Sequence, residues 1–176
     1  MRDMVQNHLL QLLCLVAMEA PVHFEPEAVR NEKLKILEAL RPISGLDVQD
    51  RTVRGQYSRG VRAGEKLPAY YFEKSVDHDS NTETFVALKA EVDNWRWGGV
   101  PFYLRTGKSL AQRKSEIVIQ FKPVPYRLFG QGSDAPAHNR LVIRLQPDES
   151  IRLSLMAKSP GRGMSLQDVD LDLNFA

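Results

Sequence analysis

The chain is poor in cysteine, in net charge and in long apolar runs, and each shortage excludes a class of protein. Cys14 is the only cysteine among 176 residues, which excludes a disulfide framework and a cysteine-based zinc site. Basic residues number 24 against 22 acidic ones, and a net charge of +2 gives no overall case for binding nucleic acid or membrane. The apolar stretch 12–18 is too short to span a bilayer, and no small-residue cleavage site follows it. These shortages are typical of an intracellular globular protein.

Hydrophobic residues make up 43% of the chain, which argues against disorder, and its length suits a single domain. Helices are predicted over 3–19, with Asp3 as N-cap, and over 26–40, with Pro26 in the first turn. The first is apolar nearly all round and is therefore expected to be buried. Alternating patterns predict strands over 52–57, 84–92, 101–106, 115–122, 140–146, 151–157 and 169–175.

No helical pattern separates these strands, so the fold class expected is α+β, with two N-terminal helices followed by a large, mainly antiparallel sheet and no Rossmann domain. Segments rich in turn formers, such as 60–68, 77–81 and 130–136, are expected to be loops. The chain begins against a helix and stops at a strand. We therefore expect residues 1–176 to form one domain cut at both ends.

A polar patch on the first helix is the first candidate site. Asn7, His8 and Gln11 share one side of a regular α-helix, whereas Asp3 lies about 140° from His8. One interpretation is a core histidine satisfied by neighbouring amides. The other is a general base, because an imidazole near neutrality can accept a hydroxyl proton.

A basic segment beyond residue 101 is the second candidate. Gly107-Lys108-Ser109 resembles the end of a P-loop, but Phe102 stands where the first glycine is required. Between 102 and 128 six basic residues oppose Glu116 alone, a local net charge of +5. Such cations at a strand end suit a phosphate or sugar phosphate, and a solvated basic rim is the alternative. The six basic residues are Arg105, Lys108, Arg113, Lys114, Lys122 and Arg127.

Arg144 and Gln146 alternate with apolar neighbours and so share the polar face of one predicted strand. By itself this arrangement is ordinary surface chemistry. His23, His78 and His138 have no acid or cysteine at metal-ligand spacing, so no metal site is predicted.

Several segments, in order along the chain, resemble the carboxy-terminal domain of the glucose-6-phosphate dehydrogenase family. The segments are R-D-M-V-Q-N-H-L-L-Q (2–11), T-V-R-G-Q-Y (52–57), N-T-E-T-F (81–85), N-W-R-W (94–97), G-V-P-F (99–102), L-R-T-G-K (104–108) and I-R-L-Q-P-D-E (143–149).

The resemblance implies a cytoplasmic oxidoreductase that converts D-glucose 6-phosphate to 6-phosphoglucono-lactone with reduction of NADP, the first step of the pentose phosphate pathway. It implies that His8 is the base for the C1 hydroxyl and that Asp3 contacts the sugar. The residues implied to line the sugar-phosphate site are Lys108, Arg113 and Gln146.

The family's nucleotide-binding half, with its G-A-S-G-D-L turn, is not found in these 176 residues, nor is its D-H-Y-x-G-K segment. NADP is therefore expected to be bound mainly by a part of the enzyme outside this sequence, and the isolated chain is expected to be inactive.

Some family members bind a second, structural NADP against the sheet. Arg105, Lys114 and Arg144 match three of its basic contacts, whereas a further basic contact falls on Val118. The family forms homo-oligomers largely through this sheet. Two alternatives stay open: a non-catalytic module for sugar-phosphate binding or oligomerisation, and, more remotely, a nucleic-acid-binding segment within 105–127.

Overall fold

The described part of the chain forms two compact units. The computed structural model describes residues 2–62, 64–123, 125–126, 139–161, 163 and 165–175. The first unit is Met1–Leu110 and the second is Ala111–Ala176. Three features named above lie outside the described residues: Arg127, His138 and the predicted loop 130–136.

The first unit contains both predicted helices. The first begins as a π-helix, Met4–Leu9, and continues as α1, Leu10–Ala17. The second is α2, Pro26–Glu38, with Pro26 in its first turn, where a missing backbone N–H costs nothing. A short helix that was not predicted, α3, spans Asp47–Arg51. Within the described ranges, no helix is long and apolar enough to cross a bilayer.

The strands of the first unit form two antiparallel sheets. Their bounds are β1 Thr52–Gly55, β2 Gly60–Arg62, β3 Glu65–Leu67, β4 Phe85–Glu91 and β5 Pro101–Gly107. One sheet has the order β1-β4-β5, and the other is the β2-β3 hairpin. The hairpin lies in a segment that was predicted to be a loop. Gly64 adopts φ +84°, a conformation that a tight turn requires and that glycine allows. The turn-forming residues of this segment therefore connect two short paired strands.

The second unit is a four-stranded antiparallel sheet of β6 Ser115–Gln120, β7 Arg140–Gln146, β8 Ser150–Lys158 and β9 Leu166–Asn174. One face carries two apolar rows across the strands, and we call it the apolar face. The rows are Ile117, Ile143, Ile151 and Leu173, then Ile119, Leu141, Leu153 and Leu171. The opposite face, which we call the polar face, carries Glu116, Arg144, Arg152 and Asp172.

These elements confirm the α+β class and the antiparallel pairing. One large sheet was expected. The described strands are instead hydrogen-bonded into three sheets, of three, two and four strands. The seven residues between β5 and β6 form no strand, and Ser109 within them adopts φ +53°.

The core of the first unit is small and lies between the helices and β4. Leu13, Cys14 and Ala17 of α1 meet Ile36 of α2, together with Ala90 and Val92 of the strand region. Cys14 is a free, buried thiol, and this burial raises its pKa. The expectation of an entirely buried first helix is wrong for its π-helical part, where no described side chain is buried. The polar side chains of this π-helix are exposed to solvent.

Arg41 joins the end of α2 to the residues after β4. Its Nε and Nη2 donate to the two carboxylate oxygens of Asp93 at 2.9 and 2.6 Å, and it also pairs with Glu91. This bidentate hydrogen bonding lowers the pKa of Asp93 below its ordinary value.

We expect Asp93→Asn to lower the denaturation midpoint at pH 7 and to have little effect in strong acid. A carboxyl whose native pKa is depressed stabilises the fold above its unfolded pKa of about 3.9, and the contribution is lost as pH falls through the lower native value. Denaturant titrations of both proteins at pH 7 and at decreasing acidic pH measure the difference. In an Arg41→Gln background, Asp93→Asn should not lower the denaturation midpoint at pH 7. An equal decrease in both backgrounds would show that the Arg41–Asp93 pair is not the source of the stabilisation.

Candidate active site

Asp3 and His8 come together because the first helix starts with a π-turn. Residues five apart lie one above the other when the backbone bonds run from i to i+5, whereas an α-helix would separate them. The His8 Nε2 atom lies 3.9 Å from the Asp3 Oδ2 atom, and both side chains are exposed, at 59% and 73%. The Asn7 amide donates to the other carboxylate oxygen of Asp3. The carboxylate is thus held beside the imidazole on an open surface.

Two expectations about this helix are wrong. Asp3 does not cap it: its backbone is already helical and its carboxylate makes no capping hydrogen bond, because that group is bound by Asn7. His8 is not a core histidine satisfied by amides. The neighbouring Gln11 amide accepts a hydrogen bond from Lys33 of α2 at 2.8 Å, so it is engaged elsewhere.

Lys108 follows β5 in a closely packed turn, while Arg105 is exposed on the strand itself. The backbone N–H of Lys108 donates to the Thr84 carbonyl oxygen at 2.8 Å, and Thr84 is only 3% exposed. A side chain at Gly107 would bring its Cβ within 2.8 Å of the Phe85 ring, so the backbone approaches as closely as only glycine permits. β5 also packs against the π-helix that carries His8.

The remaining predicted site residues lie in the second unit, around one end of its sheet: Arg113, Lys114, Arg144 and Gln146. Ser115 pairs with Gln146, so Arg113 and Lys114 precede the strand end at which Gln146 lies. Lys114 Nζ lies 2.8 Å from the Glu116 carboxylate, and Glu116 pairs across strands with Arg144. Arg113, Arg144 and Gln146 are exposed. The structure therefore places Asp3, His8, Arg105 and Lys108 in the first unit and Arg113, Lys114, Arg144 and Gln146 in the second.

Sequence reasoning missed a tyrosine beside the Lys108 turn. The Tyr57 hydroxyl donates to Glu73 Oε1 at 3.0 Å, and the Tyr57 ring packs edge-on against Tyr70. Burial raises the pKa of Tyr57, the hydrogen bond to Glu73 raises it further, and contact with the Ser109 side chain lowers it. No local pattern joins these residues, since they come from three separate segments. Among the described residues, no group of three or more His, Cys, Asp or Glu side chains is arranged to hold a metal ion.

Comparison with known proteins shows the family of the chain. Residues 1–176 match the family model "Glucose-6-phosphate dehydrogenase, C-terminal domain". A glucose-6-phosphate 1-dehydrogenase of Rhizobium meliloti (strain 1021) is 57% identical over 100% of this chain and 36% of its own length. One of Mycolicibacterium smegmatis is 56% identical over 99% of this chain and 35% of its length.

Solved structures give the same result. A structure described as "Glucose-6-phosphate dehydrogenase in complex with its substrate glucose-6-phosphate" superposes with a TM-score of 0.85 at 46% identity, over 99% of this chain and 34% of that one. A Mycobacterium avium glucose-6-phosphate 1-dehydrogenase gives 0.81 at 40% identity, over 99% and 35% of the two chains.

The fold and the matches define a domain of the dehydrogenase class whose described strands pair antiparallel. The chain belongs to the glucose-6-phosphate dehydrogenase family, and it matches that family's C-terminal domain. It spans about 35% of the length of the curated relatives that it matches.

Proposed function

We propose that this chain is the substrate and dimerisation domain of a cytoplasmic, NADP-dependent glucose-6-phosphate 1-dehydrogenase, of which it forms a part. The observation that carries the proposal is the pairing of Asp3 with His8 on the exposed π-turn of a chain from this family. With the two groups 3.9 Å apart, one sugar hydroxyl can donate to the His8 imidazole while a neighbouring hydroxyl of the same sugar donates to the Asp3 carboxylate.

In the proposed reaction, His8 accepts the proton of the C1 hydroxyl of glucose 6-phosphate. The C1–H bond breaks with its electron pair, C1 becomes the carbonyl carbon of the lactone, and the hydride leaves the sugar. NADP, when bound, supplies the hydride acceptor. Asp3 binds the sugar beside His8 and so orients C1 toward the base. The products are 6-phosphoglucono-lactone, the reduced cofactor and a proton on His8.

We assign the sugar-phosphate contacts to Lys108, Arg113 and Gln146. Lysine and arginine bind phosphate oxygens by charge-assisted hydrogen bonds, and the glutamine amide can donate or accept. All three side chains are exposed and available to a ligand. The assignment rests on the resemblance of their segments to those of the family.

The glycine-rich turn of the family's nucleotide-binding half is not among these 176 residues. We therefore assign the catalytic NADP to a part of the enzyme beyond these 176 residues. A second, structural NADP would meet Lys114 and Arg144 on the polar face. The fit is poor, because Lys114 is already paired with Glu116 and the half-exposed Val118 stands where a basic contact is expected.

The apolar face of the four-stranded sheet supports a homo-oligomer through this domain. Leu171 and Leu173, which lie on it, are 55% and 56% exposed. Adjacent exposed leucines on a sheet are typical of an association surface. The same observation supports the alternative, a non-catalytic oligomerisation or sugar-phosphate-binding module.

We expect the purified 176-residue chain to form no NADPH from glucose 6-phosphate and NADP. Hydride transfer requires the nicotinamide C4 atom against C1 of the sugar, and this chain has no residues that position it. Absorbance at the NADPH band measures the product, with the full-length protein as the positive control. NADPH formation in proportion to the concentration of the isolated chain would contradict the proposal.

The gene upstream of Met1 distinguishes the enzyme from the module. An in-frame segment encoding a G-x-S-G-D turn before a D-H-Y-x-G-K segment is expected for the enzyme. A native reading frame that starts at Met1 would favour the non-catalytic module.

A further inference from the structure

The turn after β5 holds Lys108 between two constrained neighbours. On one side Gly107 lies so close to Phe85 that no Cβ fits. On the other, Ser109 adopts φ +53°, a left-handed conformation that is uncommon for a residue with a side chain and costs free energy. Backbone in this region persists only when surrounding contacts hold it.

Those contacts come from Tyr57 and Thr84. The buried Thr84 accepts from both segments: its hydroxyl oxygen accepts from the Tyr57 backbone N–H at 2.9 Å, and its carbonyl oxygen accepts from the Lys108 N–H at 2.8 Å. Tyr57 therefore lies directly against the turn. Its hydroxyl donates to Glu73 at 3.0 Å.

Glu73 is itself fixed. Its backbone N–H donates to the Tyr70 carbonyl oxygen at 3.0 Å, and Tyr70 stacks edge-on against Tyr57 with ring centroids 5.7 Å apart. Glu73, Tyr57 and Thr84 therefore form one line of hydrogen bonds that ends at the backbone of Lys108. None of these side chains has a role in the proton transfer proposed above.

We propose that Tyr57 and Glu73 are positioning residues for Lys108. Glu73 anchors the Tyr57 hydroxyl, the Tyr57 backbone N–H holds Thr84, and Thr84 in turn holds the Lys108 backbone. This chain of hydrogen bonds directs the Lys108 ammonium group toward the phosphate of the sugar substrate. This inference rests on the proposed function, because it needs Lys108 to bind that phosphate.

The test is Tyr57→Phe in the full-length enzyme, which removes one hydroxyl and keeps the ring. We expect the KM for glucose 6-phosphate to rise about tenfold, the effect of losing one hydrogen bond to a charged group, with kcat within about twofold. Glu73→Ala should raise KM in the same way. Glu73→Gln should raise it less, since its amide oxygen still accepts from Tyr57. Tyr103→Phe, on an exposed side chain of β5, is the matched control and should leave KM unchanged.

A double-mutant cycle separates positioning from general stability. In a Lys108→Ala background, Tyr57→Phe should raise KM no further, because the group that it positions is gone. An undiminished KM increase in that background, or an unchanged KM in the single variant, would overturn the inference. Failure of the wild-type protein to reduce NADP with glucose 6-phosphate would instead contradict the proposed function, so the two failures are distinguishable.

Discussion

Replacing His8 with Asn in the full-length enzyme is expected to lower kcat by about 100- to 10,000-fold, the usual contribution of a general base. The KM for glucose 6-phosphate should stay within about twofold, since a base acts in the transition state and contributes little to ground-state binding. Asparagine has similar size and polarity but cannot take the C1 proton. Steady-state NADPH formation over a range of sugar concentrations measures both constants.

His23→Asn is the matched control for this experiment. It makes the same chemical change on an exposed residue of the segment between α1 and α2, and kcat should not change. A decrease in kcat of less than about tenfold for His8→Asn would mean that another group takes the proton. A large rise in KM with kcat preserved would instead make His8 a binding residue.

The elements of this fold are well predicted from sequence wherever an apolar pattern spans several turns or strand residues. The bounds of α2 and of β4 to β8 follow from such patterns, and so does the antiparallel α+β class. The short elements α3, β2 and β3 were missed, because three to five residues are too few to show a period. For β2 and β3 the turn at Gly64 decides the structure.

The site is less predictable, since it depends on backbone geometry and on contacts distant in sequence. The composition of residues 4–9 is that of an ordinary helix, and only the hydrogen-bond register of the π-turn places Asp3 over His8. The hydrogen bonds that hold Lys108 join Glu73, Tyr57 and Thr84 from separate segments. A resemblance can name Lys108, but it does not show what holds it.

The same helix that carries His8 depends on a very small core, and Leu13→Ala should destabilise the chain by about 2–5 kcal/mol. Leu13 is 2% exposed and is one of six buried residues in its cluster, so its truncation removes a large share of the apolar contacts in this core. The packing that the substitution removes is that of α1, which continues the π-helix. We therefore expect the loosening to reach the Asp3–His8 pair.

Denaturant unfolding followed by tryptophan fluorescence measures this effect in the 176-residue chain. Trp97 packs against the cluster and donates from its ring nitrogen to the Ala17 carbonyl oxygen at 2.8 Å, so its emission reports on the core. Trp95 is fully exposed and should change little. Leu15→Ala is the matched control, because Leu15 lies on the same helix but is 49% exposed, and its cost should be about 0.5 kcal/mol or less. Equal losses for the two leucines would show that the helix is not held by this core.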